Sequence, residues 1–180
     1  MGSELRGSEL VQTSNNRRWI AGIGGGLVGG VGMGLLLHFG MGAMPVVASL
    51  YGQSSVAVGW VAHLFHSAVF GLIFVALITR TGLRTYARTT AWTTGLGALY
   101  GVVLGVLTGA FVLPLWVNAV SGAGLPVPLF ATPAFVGHVL FGLLLGAIYA
   151  VTHSPPSSTS AVPRVDADDG TATEADPETV

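Results

Sequence analysis

Between Glu9 and Asp166 the chain carries no acidic residue, and its arginines in that interval are Arg17, Arg18, Arg80, Arg84, Arg88 and Arg164. What lies between these clusters is apolar and long. A helix needs about 20 predominantly apolar residues to cross a bilayer, and four stretches meet that length. Charged residues make up 8% of the chain, against about a quarter in a soluble domain. The fold class this dictates is an all-α integral membrane protein with four transmembrane helices.

The spans fall at about 19–39, 57–79, 92–115 and 129–151, inside a membrane domain of residues 19–152. A polar cytoplasmic segment, 1–18, precedes it. A Ser/Thr/Pro-rich and then acidic tail, 153–180, follows. With so few apolar groups the tail does not offset the entropy of ordering, so it reads as disordered. The Arg17-Arg18 pair before an apolar run has the look of an export signal. No small-residue cleavage site follows it, so the first span reads as a retained anchor helix. The loops at 40–55 and 116–128 carry no charge. Arginine therefore marks one side only: Arg17 and Arg18 before span one, and Arg80, Arg84 and Arg88 between spans two and three. By the positive-inside rule both termini are expected in the cytoplasm of a multi-pass plasma-membrane protein.

Glycine sets the expected packing. Gly22, Gly26, Gly30 and Gly34 recur every four residues in span one, and Gly97, Gly101, Gly105 and Gly109 do so in span three. Such spacing lays a groove without side chains along one helix face, into which a neighbouring helix can settle. A shift of 71 residues carries Gly26 onto Gly97, Gly30 onto Gly101 and Phe70-Gly71-Leu72 onto Phe141-Gly142-Leu143. Two spans per unit means both units enter from the same side. The expectation is a pair of tandem two-helix repeats in a parallel pseudo-twofold bundle.

The chemistry-bearing residues are histidines. His63, His66, Ser67 and Phe70 share one face of span two by their spacing. The 71-residue shift sets Ser67 against His138, so His66 and His138 are expected at similar depth. His38 falls near the outer end of span one. Ionisable groups at this level are functional candidates. His63 or His66 with His138 would suit the axial positions of haem b, or a divalent metal. They also suit proton titration near neutral pH, or simply hydrogen bonds between helices. No cysteine is present, which removes thiolate chemistry. No acid pair, Ser/His/Asp set or HExxH motif occurs within the spans, so an enzyme is not expected.

The run Asn16-Arg17-Arg18, Gly22, Gly26, then His63-Leu64-Phe65-His66-Ser67-Ala68-Val69-Phe70-Gly71, then Gly137-His138-Val139-Leu140-Phe141-Gly142 resembles small haloarchaeal four-helix membrane proteins. More distantly it is similar to the YagU-like inner-membrane proteins. The likeness covers about residues 16–152. Arginine without lysine, an Ala/Gly/Val-rich body and an acidic tail resemble the composition of salt-loving archaea. The resemblance implies the architecture and brings no activity with it. A histidine-kinase label that some such proteins carry finds no nucleotide-binding region here.

These residues favour a non-enzymatic structural or accessory membrane subunit that needs no cofactor. Its partners would be the lipid bilayer and a homo-oligomer or larger membrane complex, not nucleic acid. A haem b or metal-binding redox protein is the first alternative. A small permease or channel is the second, weakened by the absence of acids within the spans.

Overall fold

In a computed structural model the chain is described over residues 2–87 and 89–153, without the side chains of 2–12, 14, 15, 84 and 153. The proposed acidic tail beyond His153 and the expected topology marker Arg88 lie outside the described residues. All regular structure among the described residues is helical. Helix α1 spans Gly2–Leu35 and widens into a π-helical segment at Leu36–Gly40. A short α2, Met44–Ser49, follows, then α3, Val56–Arg80. Helix α4, Thr90–Leu104, passes through a second π-helical segment, Gly105–Val112, into α5, Leu113–Ser121. Helix α6 runs Thr132–His153. Four continuous helical stretches are long and apolar enough to cross a membrane: Asn16–Gly40, Val56–Arg80, Thr90–Ser121 and Thr132–Thr152.

Residues 2–18 are helical and continuous with the first span. Two boundaries differ from the sequence expectation, each for a physical reason. The uncharged loop 40–55 holds α2, whose first turn accepts Pro45 because no intrahelical partner is needed there. The third span runs six residues past Leu115, to Ser121. Pro114 cannot donate to the carbonyl of Ala110, the usual cause of a break. Here the Leu129 N–H from the following loop takes that carbonyl at 2.8 Å, so the helix continues. It ends at Gly122, in the left-handed conformation that a helix C-cap favours (φ 66°).

The long helices alternate in direction. The starts of α1 and α4 and the ends of α3 and α6 share one end of the molecule, where Arg17 and Arg80 are exposed. Helix α1 packs against both α3 and α6, and α6 also packs against α4. Among the described residues α3 and α4 share no extended helix-to-helix contact. They touch through side chains: Tyr100 donates its hydroxyl to the Phe70 carbonyl at 2.9 Å, and its ring lies 5.4 Å from that of Phe74. The core between them holds Phe74, Val75, Tyr100, Phe141, Leu145 and Tyr149.

Each glycine stripe receives the next long helix in the chain. A Cβ at Gly26 would overlap the Ser67 carbonyl and press on Gly71; one at Gly97 would overlap the Gly142 carbonyl. Gly30 meets Ser67, and Gly101 meets His138. Helix α1 carries a second glycine face, Gly25, Gly29 and Gly32, against Leu145, Phe141 and Leu144 of α6. The sequence signal for it was present, glycines four and three apart on a neighbouring helix face, but the stronger stripe beside it masked it.

Candidate functional site

The α3–α4 seam opens towards the end of the molecule that carries α2 and α5. Above Tyr100 it leaves a cavity of about 760 Å³ reached by all four long helices. Its walls include Met33 of α1, Leu37 of the first π-helical segment, Phe70 of α3, Val106 and Val112 of the second π-helical segment, and Phe135 and Phe141 of α6. Val47 and Leu50 of the α2 region, Trp116 of α5 and Leu125 and Phe130 of the last loop form its roof.

The roof is held by specific bonds. Gly59 has no side chain, so α2 approaches α3 closely at Met44. Asn118 clamps Leu125 twice, accepting its N–H at 2.7 Å and donating to its carbonyl at 2.8 Å. Val47, Leu50, Ala62 and Val117 form a second small core beneath the α2 side of the roof.

Three of the four histidines singled out by sequence line this cavity, with Ser67 and Thr108. His63 is buried, and its Nε2 lies 2.9 Å from the Gly30 carbonyl. A carbonyl only accepts, so Nε2–H donates. Ser67 donates back along α3 to the His63 carbonyl at 2.7 Å. His66 pairs through Nε2 with the Tyr51 hydroxyl at 2.7 Å, which ties the α2–α3 loop to α3. His138 donates from Nδ1 to the Ala134 carbonyl one turn back, at 2.8 Å. Its ring lies across Gly109, where an added Cβ would stand 3.2 Å from Cε1. Its Nε2 is 3.4 Å from the Thr108 hydroxyl.

His38 is elsewhere. Its ring packs edge-on to Phe39 at 4.5 Å and beside Trp60 at 6.1 Å, away from the cavity walls. Gly105 and Gly109, expected only to pack helices, also line the cavity and give room to Phe135 and His138. Gly22, Gly30 and Gly34 serve α1–α3 packing, Gly34 against the Trp60 indole. Tyr51 and Thr108 carried no signal in the sequence as site residues, because only the fold brings them to histidines 15 and 30 residues away.

Among the described residues no group of three or more His, Cys, Asp or Glu side chains is gathered to hold a metal ion. The arrangement offers an apolar chamber with a few fixed polar atoms. Small-molecule sites combine these two features, and at similar volumes. No family model matches the chain, and neither a curated protein nor a solved structure does.

Proposed function

We propose that the chain is a four-span, multi-pass membrane protein, a non-enzymatic accessory subunit that holds a small lipophilic molecule in the chamber between its helices. The observation that carries this reading is the chamber itself: about 760 Å³, apolar, partly open to the outside, and edged by His63, His66 and His138. Several features support the membrane setting. Val61, Phe65, Leu99, Leu107 and Val136 are exposed on the outer faces of the long helices, an apolar surface that lipid covers and water does not. Trp19 and Trp92 sit towards the arginine end, Trp60 and Trp116 towards the other, the distribution of interfacial aromatic belts. The arginine end then faces the cytoplasm.

The tandem repeat is part of the same reading. It is supported by the paired contacts Gly26 with Gly71 and Gly97 with Gly142, which differ by the same 71 residues as the sequence match. The π-helical segments agree with it, since Leu36–Gly40 falls within Gly105–Val112 on the same shift.

Photolabelling in lipid nanodiscs tests the binding reading. A diazirine-bearing hexylbenzene is expected to label cavity residues such as Phe135 and Trp116 saturably. Lipid-facing Val61 and Leu99 should label in proportion to concentration. Filling the chamber with Ala134→Trp should remove the saturable part. Labelling of the cavity residues that never saturates would reject the reading.

A second reading, haem b or a metal held by His138 with His63 or His66, is favoured by one feature. The Nδ1–H of His138 is anchored on a backbone carbonyl, as the far nitrogen of ligating histidines commonly is. Against it, the Nε2 atoms of His63 and His66 are both engaged, by Gly30 and Tyr51. An absorbance spectrum before and after dithionite, with metal analysis of the same sample, separates the readings. A Soret band that shifts on reduction would replace the lipophile with haem.

A further inference from the structure

We infer that the molecule held in the chamber is a hydrogen-bond donor, a lipophilic phenol or alcohol, and that the Nε2 lone pair of His138 receives its hydroxyl. The inference rests on the binding reading above and narrows it. It follows from counting protons. A neutral imidazole has one N–H and one lone pair. His138 spends its N–H on the Ala134 carbonyl, so the lone pair is on Nε2. The nearest candidate donor to that lone pair is the Thr108 hydroxyl at 3.4 Å. That hydroxyl has a single proton, and it is given to the Leu104 carbonyl at 2.6 Å. Among the described residues Nε2 therefore has only the long Thr108 contact to supply a proton, in a ring that lines the chamber.

His63 has the same polarity. Its N–H is spent on Gly30, which leaves its lone pair on Nδ1. A charged imidazole without a partner would be costly among these apolar walls. Ser67 offers no donor to the chamber, since its proton goes to the His63 carbonyl. His63 and His138 thus each keep a lone pair, while at the His66–Tyr51 bond either group can be the donor. At His138 a carbonyl-bearing or ether-bearing ligand finds no donor, and a hydroxyl finds a lone pair. An unmet acceptor favours the ligand that supplies its proton over an isostere that does not.

Competition against the photolabel tests this, with three probes of like size: 4-hexylphenol, 4-hexylanisole and 4-hexylacetophenone. In the wild-type protein the phenol is expected to compete about five- to ten-fold more strongly than either of the others, the range of one neutral hydrogen bond. The phenol preference should vanish in His138→Phe while anisole competition persists. His138→Gln, which keeps an acceptor oxygen, should retain part of the preference and guards against a folding defect in the Phe variant. Equal potency of phenol and anisole overturns the inference and leaves the binding reading standing. A preference for the acetophenone overturns it by showing that the site donates. A phenol preference that survives in folded His138→Phe removes His138 from the role. Competition by none of the three, with unsaturable labelling, rejects the binding reading together with the inference.

Discussion

Two seams in this bundle are built from matching positions and come out differently. The α1–α6 seam is lined on α1 by Gly25 and Gly29; 71 residues further on, α4 has Leu96 and Tyr100. At the first seam the helices dock almost backbone to backbone, and a Cβ at Gly29 would stand 2.7 Å from the Phe141 carbonyl. At the second, Tyr100 fills the space and reaches across to the Phe70 carbonyl. Two glycines exchanged for a leucine and a tyrosine thus separate a closed seam from one that opens into a chamber. Close packing here is a matter of what is missing from the side chain.

The comparison is broken most severely at the glycines inside each hairpin. Gly26→Leu and Gly97→Leu put side-chain atoms into the carbonyls of Ser67 and Gly142, which belong to helix backbone and have no room to yield. Each is expected to cost about 3 kcal/mol or more, beyond the usual range for overpacking. Denaturant titration in mixed micelles, followed by circular dichroism, checks this; a loss under about 1 kcal/mol would mean the hairpins are not held this closely. Gly29→Ala tests the closed seam itself. Its Cβ meets Phe141 backbone, so about 1–3 kcal/mol should be lost, with α6 displaced from α1. On the open side Leu96→Ala, at the counterpart of Gly25, creates no such overlap. The same titration should therefore show a loss unrelated to helix separation, and a spin-label distance between α3 and α4 should stay constant.

The number of helices long and apolar enough to cross a bilayer, the hairpin glycine stripes and the shared face of His63, His66, Ser67 and Phe70 were all legible from spacing. Those four residues line the chamber with His138. The chamber was not legible, because it depends on a seam that fails to close. That failure is written as ordinary residues, Leu96 and Tyr100, at positions where nothing marks a partner helix. Helix α2 was hidden because six residues are too few for a period to register. The run through Pro114 depended on a bond from Leu129, fifteen residues later, which no local pattern announces. His38 carried the same signal as the other histidines and ended beside Trp60, since it follows Gly30 and Gly34 on the stripe that faces α3.

Tyr100→Phe sharpens the comparison by removing only the hydroxyl. The ring stays against Phe74, and the Phe70 carbonyl keeps its intrahelical partner, so the cost is expected to be modest. Interhelical hydrogen bonds of this kind average about 0.6 kcal/mol in a membrane setting. The same titration reads it. A loss of about 2 kcal/mol or more would mean that the tyrosine hydroxyl, and not the ring, holds α3 and α4 at their spacing.

The smallest effect belongs to the glycines that face no helix. Gly24 and Gly95 differ by the same 71 residues as the two stripes, and neither has an atom within 4 Å of an added Cβ. If glycine in these helices served only to suit the sequence composition, Gly24→Ala would behave like Gly26→Ala. If glycine matters through approach, the two must differ. Gly24→Ala and Gly95→Ala are expected to shift stability by less than about 0.5 kcal/mol, as surface changes do, with alanine's better helix propensity the main contribution. Gly26→Ala, overlapping the Ser67 carbonyl, should lose several times that in the same titration. Equal losses at positions 24 and 26 would remove the distinction between open and closed faces on which the contrast between the two seams depends.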